Sequence, residues 1–444
     1  MNEFDVIVIG GGTAGLAAAR AASSRDARVA LIESGRPGGK ALFRQQLPRN
    51  VLDVNSGPDG RKISLEDFKR EVEREAEICV RKIQDELKES GIDWIHGVGA
   101  LDGGGRVHVQ QNNGSLTVKA NSVVIATGSL TRPVATLPFD EDSIFPVDRL
   151  WEWTALPESI LIVHADPWGL EAAYACTRLG IKVFLVEAGQ RLIGGQDPDL
   201  IAALEAGFKR QKIKVLAGKK IVSVFKSDRL IDVTLDGGVK FSIEQILVSG
   251  ERLGNTAQLG LKALQIDTGK NQEVWVNEFM ESCQRQVFAA GSVTGQSRCR
   301  ERSEEEGRLA GLNAAGDRQS LDTDQIPFVL HFHPVIASIG CREADAHHKG
   351  YRAVEGRYDS TDKGDTNSLP VEFCRLVADR ETRKIIGAQL CSESAAEEMS
   401  WIQSLMKKEK TVKSVAKGGD SSPASESPVF YAAQDCLQRF PVRR

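Results

Sequence analysis

The chain has 444 residues, 42 of them glycine and 8 cysteine, enough for about three domains at roughly 150 residues each. Its formal charge of −4 argues against the basic field that nucleic acid or an anionic membrane would require, and 41% hydrophobic with 27% charged residues excludes a disordered or collagen-like chain. Glycine at 42 of 444 exceeds the average of about 7%, which points to tight turns or to places where a ligand lies against the main chain.

Met1 to Gly10 carries acidic residues and a short apolar run, without the basic start and cleavage site of a signal peptide. No run of 18 apolar residues is present, so no membrane-spanning helix is expected. Cys79, Cys176, Cys283, Cys299, Cys341, Cys374, Cys391 and Cys436 form no CxxC or CxxxxC pair. Their spacing suits neither a zinc site nor a secreted disulfide framework, and a cytoplasmic protein with reduced thiols is the expectation.

Phe4 to Ile9 is an apolar, β-branched run of the kind that forms a buried parallel strand. Gly10, Gly12 and Gly15 follow in GxGxxG spacing, Leu16 to Ala22 opens a helix, and Arg28 to Ile32 predicts a second strand ending at Glu33. In this setting the first glycine permits the turn, the second lets backbone approach a pyrophosphate, and the third lets helix pack on strand. The helix N-terminus supplies N–H groups and a dipole for phosphate, and Glu33 is spaced to accept from a ribose hydroxyl. Two further strands, Ser122–Gly128 and Gln286–Ser292, each run into a small-residue turn.

The order of GxGxxG, Glu33, Gly38-Gly39, Ala126-Thr127-Gly128 and Ala290-Gly291 resembles the FAD-dependent pyridine nucleotide-disulfide oxidoreductases, the group of dihydrolipoamide dehydrogenase, glutathione reductase and mercuric reductase. The resemblance covers nearly the whole chain. It implies an α/β fold with two Rossmann-like dinucleotide-binding domains and a C-terminal α+β dimerisation domain. The expected division is 1–150 plus 275–322 for FAD, 151–274 for a degenerate NAD(P)-like domain, and 323–444 for dimerisation. FAD would be held by Gly10, Gly12, Thr13, Ala14, Gly15, Glu33, Gly38, Gly39, Lys40, Ala100, Ala126, Thr127, Gly128, Ser129, Gly291 and Ser292. Ser292 stands where the family has an aspartate, so its hydroxyl would meet the ribityl chain without charge.

The family's disulfide lies just after the Gly-Gly, in a segment written GGTCLNVGCIPSK. Laid without gaps on Gly38 to Asn50, both glycines, the leucine and the proline match, yet Ala41 and Gln46 stand at the two cysteines and Asn50 at the lysine beside the flavin. Disulfide exchange needs a thiolate, which neither side chain can supply. Cys79, on the helical pattern Leu65 to Lys88, reads as a packing residue.

Ser159 to Val163 and Lys182 to Glu187 predict the strands of a second nucleotide fold. Between them GxGxxG is reduced to His164, Asp166 and Gly169, with Pro167 removing an N–H from the turn. Asp166 would present a side chain and a negative charge where a pyrophosphate should lie. Gly250-Glu251-Arg252-Leu253-Gly254-Asn255 resembles the family's GRRPN with glutamate for its glycine. Weak or absent NAD(P)H binding is expected, unless the loop bends to admit the cofactor. Glu187 would suit the ribose of NAD or is a relic of the fold.

Ile326 to Gly340, the strand pair Phe373–Ala378 and Ile385–Leu390, and a helix near Ala395–Lys408 resemble the dimerisation domain. Against the family's HPTLSE the chain offers Ser427 to Ala432, without either titratable group, after a serine-rich loop over Gly418–Ser427. His331 and His333, two apart on an expected strand, would share a face as a polar patch or, given a third ligand, a metal site. His347-His348 is expected in solvent.

The sequence thus predicts a homodimeric FAD flavoprotein that exchanges electrons with a protein or small molecule rather than a disulfide, with Gln46, Asn50 and Glu171 as the flavin-adjacent candidates. Glu171 stands at the family's flavin-adjacent glutamate and, lacking the lysine, is expected to titrate higher. Two other readings remain: a scaffold or regulatory subunit with structural FAD, and an NAD(P)H-dependent reductase or oxidase with a rebuilt nucleotide site. No nucleic-acid or membrane partner is expected.

Overall fold

A computed structural model describes residues 2–55, 63–140, 142–297, 299–360, 372–417 and 427–440. The chain divides into two compact units, Met1–Ala188 with Leu216–Leu321, and Gly189–Val215 with Asp322–Arg444.

In the first unit a seven-stranded sheet is built on Asn2–Ile9, which pairs in parallel with Val29–Glu33 on one side and Gly114–Ile125 on the other. Asp93–His96 extends one edge, and Val287–Ala289 pairs with the end of Gly114–Ile125. Both faces of the first strand are covered, which explains its unbroken apolar sequence. Val6 and Val8 pack beneath the helices, while Ile7 and Ile9 face the hairpin Val98–Gln111 and residues 259–276. Each such fully buried side chain contributes roughly 1.5–3 kcal/mol. The helices Thr13–Ser23 and Arg300–Ala314 cross closely, because a Cβ on Gly307 or Gly311 would fall 2.2 or 2.1 Å from the Ala14 or Ala18 carbonyl oxygen.

A second parallel arrangement follows the same logic, with Lys182–Glu187, Ser159–Val163, Gln245–Val248 and Ile144–Pro146 side by side. The helix Pro167–Arg178 connects its first two strands, and an antiparallel meander over 221–243 covers Leu161, Val163, Phe184 and Val186.

The second unit carries a five-stranded antiparallel sheet in the order Phe328–Leu330, Val335–Gly340, Ile385–Ser392, Phe373–Asp379, Ala353–Asp359. Ala337, Ile339, Leu376, Ala388 and Leu390 meet the helices Ala395–Lys407 and Pro428–Arg439 in one core. The helix Pro198–Arg210 belongs to this unit, tied by an Arg375–Asp199 ion pair and by the Phe208 and Phe332 rings 5.0 Å apart.

The expected strand through His331 and His333 is not formed. The strand ends at Leu330, and both histidines lie in the bend before Val335. Pro334 has no N–H to give a ladder, so pairing stops there. His333 sits 3.7 Å from Glu393, and the described residues hold no group of three or more His, Cys, Asp or Glu arranged for a metal. His347 and His348 are exposed as expected. The serine-rich stretch lies outside the described residues apart from Ser427. No described helix is long and apolar enough to cross a membrane.

A candidate dinucleotide site and its altered counterpart

The first turn has the geometry its glycines require. Gly10 adopts φ +107°, and a Cβ there would lie 2.3 Å from the Ala126 carbonyl oxygen, so the strand end and the Ala126-Thr127 turn touch backbone to backbone. Gly39, at φ +69°, brings the Gly38-Gly39 loop onto the same turn, where a Cβ would meet Gly12 Cα at 2.6 Å. Glu33 accepts the Gly11 N–H at 2.6 Å and the Gly35 N–H at 2.8 Å. Gly291 packs against Ala14, and the Ser292 hydroxyl is 3.8 Å from the place of a Cβ on Gly128.

Residues far apart in sequence therefore gather around one helix N-terminus. That end is open. Gly12 caps Thr13–Ser23 without a side-chain bond, and the first turn holds no acidic residue. Its N–H groups and dipole are available to an anion, and a Cβ on Gly12 would meet nothing closer than 3.8 Å. The fit to a pyrophosphate is good.

Two expected contacts fall at the margin. Ala100 lies half-buried on Val98–Gly103, next to Gly97, whose neighbour His96 pairs with Glu33. Lys40 turns to Asp148 at 2.8 Å and to the Ser129 carbonyl at 3.2 Å. Arg252 joins the same cluster, 2.7 Å from the Ser129 hydroxyl and 3.1 Å from Asp148. Burial would raise the Asp148 carboxyl, but the charges of Arg252 and Lys40, with hydrogen bonds from Lys40 and Thr131, bring its pKa down to about 2.

Ala41–Gln46 forms a π-helical turn leading into the helix Leu47–Asn55, with no sulfur in it. Gln46 accepts from Arg300 at 2.6 Å, and Asn50 is exposed. No disulfide joins any of the eight cysteines among the described residues, and burial drives the thiol pKa of Cys299, Cys391 and Cys436 up to about 12 and that of Cys176 higher still, which suppresses thiolate. Cys79 is half-buried, its thiol raised by burial and by Glu75.

The missing cation at Glu171 is corrected by the structure. Arg49, one residue before Asn50, places its guanidinium 4.0 Å from the Glu171 carboxylate, both side chains largely buried. The expectation of a lone glutamate compared position 50 only, and arginine is long enough to reach from the neighbouring position.

The second turn differs in kind. His164 stands at φ +77°, a conformation glycine would adopt freely, and its side chain crowds Gly250. Asp166 turns its carboxylate back onto the helix it precedes. It is the N-cap of Pro167–Arg178, accepting the Gly169 N–H at 3.2 Å and the hydroxyl of buried Ser249. N-capping explains this: an aspartate at that position satisfies orphan helix donors. Burial raises its carboxyl, opposed by Ser249, the Gly169 N–H, Arg252 and His164. Pro167 offers no N–H, and the Trp168 ring lies under Arg252 at 4.7 Å. Glu187 accepts the Ala165 N–H at 2.8 Å. This end does not fit a pyrophosphate.

Ser427, at the first position of the family's C-terminal motif, caps Pro428–Arg439 by accepting the Phe430 N–H at 3.3 Å. Sequence reading missed Arg49, Arg252 and Arg300. Only Arg252 carried a signal, its place in the degenerate GRRPN.

The fold and the two turns define a class, and the chain belongs to the pyridine nucleotide-disulphide oxidoreductase family, whose model matches residues 4–312. The family's dimerisation domain matches residues 326–427. The chain is similar to a dihydrolipoyl dehydrogenase from Bacillus subtilis, 27% identical over 420 residues and 88% of each chain. A mercuric reductase from Lysinibacillus sphaericus is 26% identical over 417 residues, 89% of this chain and 76% of that one. Among solved structures, LpdA from Mycobacterium tuberculosis has a TM-score of 0.86 at 22% identity, over 98% of this chain and 99% of that one. The Cu(II) complex of the HOCl-induced flavoprotein disulfide reductase RclA from Escherichia coli gives 0.81 at 19%, over 99% and 100%. These two likenesses concern the fold.

Proposed function

We propose that this member of an oxidoreductase family holds FAD in its N-terminal cradle and exchanges electrons with a partner other than a disulfide, without NAD(P)H as donor. The contrast between the two helix N-termini carries the reading: Thr13–Ser23 leaves its donors open beside Glu33, whereas Pro167–Arg178 is capped by its own Asp166. Ala41 and Gln46 at the aligned cysteine positions support the loss of disulfide chemistry. The resemblance at the C-terminal motif, where Ser427 to Ala432 holds no acid–base pair, agrees with it.

In this reading Gly10, Gly12, Thr13, Ala14, Gly15, Gly38, Gly39 and the Ala126–Ser129 turn hold the dinucleotide, Glu33 the adenosine ribose, and Ser292 the ribityl chain. Lys40 closes the cradle through Asp148, and Ala100 lies on the adenine side. FAD supplies the electron-transfer chemistry when bound. The chain's part is to orient it and to set the charge around it, through Arg49 with Glu171 and Arg300 with Gln46. Asn50, exposed at the lysine position, brings no charge of its own. The match to the dimerisation domain supports a homodimer.

The test is an anaerobic titration of the purified protein followed by visible spectrum, with NADH, NADPH and dithionite added in turn. A flavin spectrum bleached by dithionite and not by either nicotinamide is expected. Rapid bleaching by NADH or NADPH would overturn the donor assignment, and a colourless preparation would overturn the FAD assignment.

A further inference from the structure

The second nucleotide turn keeps the main-chain path of the first. The His164 N–H donates to the Val186 carbonyl at 2.9 Å, as the Gly10 N–H does to Ile32 at 2.8 Å. The Ala165 N–H donates to Glu187 at 2.8 Å, as the Gly11 N–H does to Glu33 at 2.6 Å. The Ser249 N–H bonds the Val163 carbonyl at 2.9 Å, as the Ala126 N–H bonds Ile9 at 2.8 Å. Gly169 touches the His164 carbonyl as Gly15 touches that of Gly10. What has changed is not the turn but what sits in it.

We propose that the Asp166 carboxylate is a built-in anion that locks this turn, and that removing it is enough to let the pyrophosphate of an adenine dinucleotide bind there. The inference rests on the reading above that the second domain no longer takes NAD(P)H. Three first-turn positions could offer N–H groups to a phosphate. Pro167 has none, and that of Gly169 is held by Asp166, which leaves Trp168. The Ser249 hydroxyl, 1% exposed, also donates to the carboxylate instead of to a ligand. A phosphate arriving here would meet a negative charge already seated on its donors. In the first cradle the cap is Gly12, which brings neither a charge nor an acceptor. Arg252 is hydrogen-bonded to Ser129, Thr131 and Asp148, and its charge already acts on the Asp166 carboxylate. The lock therefore comes down to the one charged side chain seated on the turn, since Pro167 removes a donor but adds no charge.

The experiment uses the full chain, as wild type, Asp166→Gly and Asp166→Asn, titrated calorimetrically with ADP-ribose and with NADH. ADP-ribose carries the pyrophosphate without the nicotinamide, so it reads the turn alone. Visible absorbance and thermal unfolding on the same preparations report the first cradle and the fold. Asp166→Gly is expected to bind ADP-ribose at least about tenfold more tightly than wild type, equivalent to about 1.4 kcal/mol. Asp166→Asn keeps a cap and drops the charge, so it gains less but still binds more tightly than wild type. Where the glycine variant does not fold, the asparagine variant decides. Folded variants that bind no more tightly than wild type overturn the lock. Tight NADH binding by wild type overturns the proposed function instead, so the two can fail separately.

Discussion

Arg49 and Glu171 stand 4.0 Å apart, each largely withdrawn from solvent, on two helices that begin in different nucleotide-binding folds. A guanidinium holds its charge at any working pH, whereas a lysine can lose it by burial, so the pair fixes one positive and one negative group beside the proposed flavin. A cation there favours the electron-rich reduced state. Replacing Arg49 by Met is expected to lower the flavin midpoint potential by on the order of 30 mV, the equivalent of about 1.4 kcal/mol for a two-electron couple. Glu171→Gln should raise it. Potentiometric titration against reference dyes measures both, and potentials that do not move in opposite directions would remove the pair from the flavin's surroundings.

Gly10 and Gly12 make a sharper test of the cradle than the loss of either alone. A Cβ at position 10 collides with the Ala126 carbonyl in a left-handed backbone, whereas one at position 12 has 3.8 Å of clearance. Gly10→Ala should cost about 1–3 kcal/mol in stability along with the flavin. Gly12→Ala should unfold within a few degrees of wild type yet retain less FAD through gel filtration, because its methyl group enters only the ligand's space. Unfolding temperature and the ratio of visible to ultraviolet absorbance separate the two. Full flavin retention by Gly12→Ala would falsify the pyrophosphate assignment.

The first cradle was legible because its requirements are local. Turn, helix and acidic strand end lie within Gly10 to Glu33, and each residue type there is needed for a backbone reason that spacing alone reveals. The partners that complete it were not. Arg49 meets Glu171 across 122 positions, and Gln46 meets Arg300 across 254, distances at which no periodicity connects two side chains. Asp166 was visible as an intruder, but its inward turn depends on Ser249, supplied by another strand. The strand expected through His331 and His333 failed for a local reason after all, since Pro334 outweighed the apolar residues around it.

Glu398 gives the second unit a pH dependence whose sign follows from its burial. The side chain is 1% exposed, one oxygen accepts from Ser394 at 2.7 Å and the other meets no donor in hydrogen-bonding geometry among the described residues. Burial, aided by Glu372 and opposed by Ser394 and the Val429 N–H, raises its pKa from the ordinary carboxylate value to about 7. The folded state therefore prefers the protonated form. The stability this lends is complete below the unfolded value and is lost as pH rises through 7. Unfolding temperature should fall between pH 5 and pH 8 in wild type and change less in Glu398→Gln. Parallel pH profiles for the two proteins would refute the assignment.

Asp148 titrates in the opposite sense. Its folded pKa of about 2 lies below the unfolded carboxylate value, so its contribution is complete above that value and disappears as pH falls through 2. It also holds two cations at once, Lys40 at 2.8 Å and Arg252 at 3.1 Å, and accepts the Thr131 N–H at 3.0 Å. Asp148→Asn keeps the shape and leaves the Arg252 guanidinium, 18% exposed, without its carboxylate. Removing one partner of a mostly buried pair costs about 3–5 kcal/mol when the other charge cannot leave, and somewhat less here, where Arg252 retains Ser129 and Thr131. A loss of roughly 2–3 kcal/mol by denaturant unfolding at pH 7 is expected, shrinking as pH approaches 2 because the wild-type carboxylate is then protonated too. Because Lys40 follows directly on Gly39, releasing it should also loosen the Gly38-Gly39 loop where it meets Gly12, so the same variant should shed flavin faster than wild type. A variant as stable as wild type at pH 7 would mean that the two cations find equal partners elsewhere.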